Sequence, residues 1–204
     1  IGGAAISVKQ INDETMHMLE LAYENVNQAF GQLLQFSDKI DEQIYKREDT
    51  VNYLDKVISE YISTALATPN LNVNISQALS SYYLMLVDIE RISDYAVNMN
   101  HQATKRLQGD MTISEIEIVE HMKKLCVDMK NDLSDVEEAE RKDDVIDSLV
   151  SSWREAQIQA LKQQKCSSEV SMMLSRIFTD FERINDHALN VSQEFDKINI
   201  EIPE

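Results

Sequence analysis

The stretches "VDIERISDYAVNMN" (residues 87–100) and "TDFERINDHALNVS" (residues 179–192) are close copies of one phrase in different halves of the chain. Aligned without a gap, they match Glu90 with Glu182, Asp94 with Asp186 and Asn98 with Asn190, at a constant offset of 92. Residues four apart on a helix differ by only about 40° of rotation, so each trio forms one stripe along about two turns. Leu86, Val87, Ile89, Ala96 and Val97 surround the first stripe, and Phe178, Phe181, Ala188 and Leu189 the second. Both stripes therefore read as acidic seams set into apolar helix faces.

A second pair of copies lies upstream. "KREDTVNYL" (residues 46–54) matches "RKDDVIDSL" (residues 141–149) at an offset of 95, as from Glu48 to Asp143. Two matched helices in each half indicate an internal duplication of a three-helix unit. The spacing predicts an all-α fold of two pseudo-symmetric antiparallel three-helix bundles, residues 1–109 and residues 110–204. Only four Gly and two Pro in 204 residues agree with a few long helices and very few turns.

Apolar residues at three- and four-residue spacing place the first helix from about Ile6 to Phe36 and a second through Ile44, Val51, Leu54, Ile58, Ile62 and Ala65. "TPNLNVN" breaks the pattern with Pro69 and three Asn. A third helix runs from about Ile75 to Leu107 and stops at Gly109-Asp110. Thr112-Ile-Ser-Glu115 fits a capping box that opens a fourth. A fifth follows it directly or after a tight turn near Asp135. "QKCSSE" precedes a sixth, from about Ser168 to Ile198.

With 36 acidic against 19 basic residues, the formal charge of −17 repels nucleic-acid phosphates and anionic lipid. Such a surface serves solubility first, and a subset of its carboxylates can hold cations. Cys126 and Cys166 stand far apart with no Cys/His cluster around them and read as reduced, buried core thiols. No run of about 18 apolar residues marks a membrane span, and "IGGAAISVK" has neither an initiator Met nor a signal-peptide layout. The expected setting is cytoplasmic, with no direct membrane insertion of this segment.

Helices two and five carry the same acidic anomaly. The apolar seam through Ile44, Val51, Leu54 and Ile58 is broken by Glu48, and that through Ala139, Ile146, Val150 and Trp153 by Asp143. A carboxylate taken out of water unpaired costs several kcal/mol (order of magnitude), so these groups must be neutralised. Pairing with Arg47, Arg91, Arg141 and Arg183, a solvated edge of the bundle, or a bound cation would each do so. The repetition of E-R-I-x-D-x-A-x-N with its apolar spacing intact favours an inherited site. Oxygen-only ligands suit Mg, Ca, Mn or iron rather than zinc or copper, and clustered carboxylates suit more than one ion. Asn98 and Asn190 would support such a site as a carbonyl ligand or behind the ligands, or else cap backbone or pack at the seam.

An enzyme of the di-metal carboxylate kind needs repeated E-x-x-H pairs, and only Glu14 with His17 supplies one. His17, His101, His121 and His187 do not recur between the halves and read as surface or structural residues. No Gly-rich phosphate loop or nucleophile elbow is present. Catalysis is not expected. The remaining competitor is a helical scaffold or adaptor without metal, for which the nine Met and long amphipathic seams would be contact surface.

At these residues the sequence resembles the PhoU family over essentially its whole length. The resemblance implies two three-helix repeats and a repeated E(D)-x-x-x-D motif that binds multinuclear metal clusters, iron among them. Glu90/Asp94, Asp143/Asp147 and Glu182/Asp186 satisfy the motif, whereas the fourth copy reads Glu48/Asn52. With an amide in place of one carboxylate, the first-half site is expected to be weaker or differently occupied. The opening "IGGAAISVKQINDETMHMLELA" is similar to the segment joining the membrane part of a bacterial sodium/phosphate cotransporter to its C-terminal PhoU-like domain. That likeness implies a membrane portion before residue 1 and a cytoplasmic domain tethered to the inner membrane. The implied partners are the phosphate transporter's membrane domain or phosphate-signalling proteins, with homodimerisation a further expectation.

Overall fold

The computed structural model describes residues 3–198 and is all-helical among them. Its helices are α1 Gly3–Leu34, α2 Asp38–Leu66, α3 Val73–Ala103, α4 Ile113–Asn131, α5 Val136–Lys162 and α6 Ser168–Lys197, with a short 3-10 turn at Gln108–Asp110 between α3 and α4. The six predicted helices are thus present. The opening "IGGAAISVK" lies partly outside the described residues.

Polar residues at each N-terminus satisfy backbone donors that the helix leaves unpaired. The Ser37 hydroxyl accepts from the Ile40 amide, Asn72 from those of Asn74 and Ile75, Asp135 from that of Glu138, and Ser167 from that of Val170. The capping box at α4 is complete: the Thr112 amide donates to Glu115 Oε2 at 2.7 Å and the Glu115 amide to Thr112 Oγ1 at 3.2 Å. Asp135 also decides the question between helices four and five, because its cap starts α5 after a tight turn.

With so few glycines, left-handed turn positions fall to Asn70, Arg106 and Gln164, whose φ values are 58°, 52° and 55°. Gln164 closes α5 in a Schellman arrangement, the Lys165 amide reaching Ala160 O at 2.9 Å. Arg106 turns the chain after α3, which ends before the expected Leu107.

α1 packs along α2, α3 and α4, while α6 packs along α3 and α5. The α3–α6 contact joins the halves, and the apolar core is continuous through it. Phe30 on α1 meets Phe181 on α6 edge to face, ring centroids 6.3 Å apart, and Trp153 on α5 stacks on Phe178. Cys126 is buried as expected. Cys166 is only half-buried because it lies in the turn before α6, its Sγ 3.3 Å from Ser171 Oγ.

Because Phe30 and Phe181 are fully buried and come from opposite halves, Phe30→Ala should lower unfolding free energy by about 3–5 kcal/mol. A double-mutant cycle with Phe181 by denaturant titration should show coupling of about 0.5–1.5 kcal/mol; additive effects would mean that the halves do not share their core.

Candidate metal centre

In the second half, three of the four motif residues converge, with Glu182 outside the group. Asp143 and Asp147 project from α5 toward Asp186 on α6, and one carboxylate oxygen of each lies within 4.8 Å of the others. Asp143 is half-buried, and its Oδ1 is fully enclosed with no hydrogen-bond partner. Burial first, and then the charges of Asp147, Asp186 and Asp144, push its carboxyl up to about 6. Glu182 and Asp186 are raised too, by burial and by Asp147. Arg154 Nη2 reaches Glu182 Oε2 at 4.0 Å while its guanidinium lies over Phe178.

The first half is looser: Glu48 on α2 and Glu90 on α3 each meet Asp94, but among the described residues no three carboxylates there converge as Asp143, Asp147 and Asp186 do. Glu48 is the most deeply placed of the motif acids, 9% exposed, and accepts a short hydrogen bond from Ser93 on α3. Ser93 in turn accepts from Asn25 Nδ2 at 3.3 Å, and Asn25 Oδ1 accepts from Arg47 at 2.8 Å. Glu48 is raised by burial and by Asp94, against the opposing Ser93 bond. Glu90 is half-buried and pushed to about 7 by burial, then by Asp94 and Asp55, with Arg91 opposing. Asn52 is exposed at the edge of the group, and its side chain hydrogen-bonds Glu48.

The arginines that the sequence offered as neutralising partners do little of that work. Arg47 turns away to Glu24, Asn25 and Gln28, and Arg141 pairs with Glu138. Arg91 stands 3.9 Å from Glu90 and 3.6 Å from Asp94, and Arg183 3.7 Å from Asp186, both with more than half of the side chain exposed. Contacts that long and that wet balance little charge.

The two asparagines sit on the α3–α6 boundary instead. Asn190 donates to Asp88 Oδ1 at 3.1 Å, an atom that also meets His187 Nδ1 at 2.8 Å, and His187 stacks on Tyr95. Asn98 lines a cleft with Ser175, Thr179 and Asp180. Both asparagines are exposed, at the rim of the helices rather than in the apolar seam where the sequence stripe put them, because the acidic stripe climbs out of the core toward its C-terminal end. His187 and His121 are structural, the latter edge-on to Trp153 at 5.3 Å. Arg154 and Asp55 escaped the motif reading. Arg154 reaches the site from beyond the copied stretch, and half-buried Asp55 lies just past it on α2.

The residues so placed lie inside a recognised pattern: the model of the PhoU domain matches residues 15–103 and again residues 113–195. The chain belongs to the PhoU family. It is similar to the phosphate-specific transport system accessory protein PhoU homolog 1 of Thermotoga maritima, 24% identical over 196 residues, covering 90% of this chain and 83% of that protein. Its fold matches the crystal structure of PhoU from Pseudomonas aeruginosa with a TM-score of 0.84 at 19% identity, over 95% of this chain and 97% of that one. The phosphate transport system regulatory protein PhoU from Streptococcus pneumoniae gives 0.83 at 18% identity, over 96% of each chain. Within the PhoU repeat, each acidic group joins the second and third helices.

Folded-state carboxyls raised above their unfolded values near about 4 keep protons that the unfolded chain releases, so stability must fall as pH rises between the two. In metal-free protein the melting temperature should therefore drop from about pH 4.5 to about pH 7. Asp143→Asn should flatten the part below about 6 and Glu90→Gln the part up to about 7, read by thermal melts across that range. Unchanged slopes in both variants would mean that these sites are not electrostatically strained.

Proposed function

We propose that this PhoU-family chain is a regulatory module of phosphate transport or phosphate signalling that binds hard metal ions at its acidic groups and acts through partner contacts rather than turnover. The observation that carries the metal reading is the enclosed, unpartnered Asp143 Oδ1 beside Asp147 and Asp186. A donor set of carboxylate oxygens alone fits Mg, Mn, Ca or iron, including a multinuclear iron cluster. Asp143, Asp147, Glu182 and Asp186 would hold it in the second half, and Glu48, Glu90 and Asp94, with Asn52 as an amide, in the first.

Bound cations supply positive charge where like charges face each other. The chain's own contribution is to hold carboxylates from two helices at one place, so that occupancy ties α5 to α6 and α2 to α3. That changes the rigidity of the faces those helices present, a means of signalling occupancy to a partner. The regulatory role is supported by family membership and by the printed names of the Thermotoga maritima and Streptococcus pneumoniae relatives.

The finer reading is the cytoplasmic part of a sodium/phosphate cotransporter, tethered to the inner membrane and contacting the transporter's membrane domain. It rests on the likeness of the opening segment. No helix among the described residues is long and apolar enough to cross a membrane.

Adding Mn²⁺ or Fe²⁺ should raise the melting temperature of the wild type, by a free-energy equivalent of about 2.7 kcal/mol at one hundred times Kd, and raise it less in Asp94→Asn and Asp186→Asn. Equal shifts in all three proteins would favour a helical scaffold without a specific metal site.

A further inference from the structure

α3 and α6 pack against each other across the boundary of the halves, and because they are copies the contact presents the same positions twice with different side chains. At one end Asp88 on α3 is engaged: its Oδ1 meets His187 Nδ1 at 2.8 Å and accepts from Asn190 Nδ2 at 3.1 Å, both from α6. At the other end the matching acid is Asp180 on α6, and Tyr95 stands where His187 would be. Among the described residues Asp180 has no hydrogen bond or ion pair. Burial pushes its carboxyl up to about 6, against the opposing charge of Arg176.

Asp180 lines an open cleft of about 350 Å³ between α6 and the last turns of α3, which contribute Asn98, His101 and Gln102. The exchanges along its walls add donors or positive charge. Arg176 stands where α3 has Leu84, Ser175 and Thr179 where it has Tyr83 and Val87, and Gln102 where α6 has Glu194. Arg154 places a second guanidinium against this wall, its Nη2 2.9 Å from Thr179 Oγ1 and its Nη1 3.2 Å from Ser175 O. In a chain of net charge −17, a cleft assembled from donors departs from the prevailing surface.

Gln102 gives the second indication of a ligand. Only 7% of it is exposed, and Lys105 Nζ holds its Oε1 at 2.8 Å. Its Nε2 donates to no group among the described residues, although the side chain lines the cleft. A buried donor left unmet is costly, and an acceptor arriving in the cleft removes that cost. Arg176, exposed on the α6 wall, likewise has no hydrogen bond or ion pair among the described residues.

The ligand that meets this set brings acceptor oxygens for Gln102, Asn98 and Arg176 and a proton for Asp180. Inorganic phosphate keeps at least one proton at neutral pH. Sulfate and phosphodiesters keep none, and a phosphomonoester loses its last with a pKa of about 6. We propose that the cleft between α3 and α6 binds inorganic phosphate, with Arg176, Gln102 and Asn98 donating to its oxygens and the Asp180 carboxylate accepting from its hydroxyl. The guanidinium fork suits the phosphate oxygens, and an ionised Asp180 repels an oxyanion that has no proton to give it. The site uses none of the motif acids and needs no cation, so it stands independently of the metal reading above.

The test is isothermal titration calorimetry of the metal-free full chain with sodium phosphate and, separately, sodium sulfate, in wild type, Arg176→Ala, Gln102→Glu and Asp180→Asn. Wild type should bind one phosphate per chain, and sulfate about tenfold or more weakly. Arg176→Ala, at an exposed position, should weaken phosphate by about tenfold or more. Gln102→Glu installs the carboxylate of the other end and should abolish binding. Asp180→Asn should bring sulfate affinity up to that of phosphate, because an amide can donate to either. No phosphate binding by the wild type at millimolar concentrations, or equal binding by wild type and Arg176→Ala, would overturn the site. Sulfate bound by the wild type as tightly as phosphate would overturn the role of Asp180. None of these outcomes alters the Mn²⁺ melting shifts, so the two readings fail separately.

Discussion

The constraint on which the site depends is the placement of carboxylates in the packed seams of a helical bundle. Helix packing fixes α2 against α3 and α5 against α6, and the seams bring acids on one helix to acids on the next. Their mutual repulsion and loss of water both oppose ionisation, as the raised Glu48, Glu90, Asp143, Glu182 and Asp186 record. A bundle selected only for stability would replace such groups with apolar residues of similar volume.

The continuous core makes that strain tolerable. Phe30, Trp153, Phe178 and Phe181 tie α1, α5 and α6 into one apolar mass, so each acidic pair sits on a frame held by contacts elsewhere. Divergence of the duplicated unit then shows which positions are interchangeable. The acids at 48 and 143, 90 and 182, and 94 and 186 persist, whereas 52, 55 and 59 differ from 147, 150 and 154 in charge. The two groups are relatives, not replicas.

Much of this was legible in the sequence for definite reasons. Gapless copies at fixed offsets expose the duplication, and the Thr112/Glu115 spacing reports a backbone hydrogen bond that the structure contains. Glu48 and Asp143 were found as interruptions of an apolar period. What was not legible depends on side-chain reach and exact rotation. Arg47 and Glu48 are neighbours in sequence, yet helical rotation sends one to Asn25 and the other to Ser93. Leu54 packs against the core as its spacing predicts, while Asp55 beside it is half-buried and belongs to no repeated motif that would single it out. Arg154 approaches Glu182 through a long side chain that no short motif records.

The most direct measurement is an anomalous difference map from crystals grown with Mn²⁺, collected near the manganese edge. If the seams are cation sites, a peak will lie among the carboxylates of Asp143, Asp147 and Asp186 and vanish in Asp186→Ala. A map with no peak there, with those carboxylates bonded only to arginine and water, would contradict the metal reading.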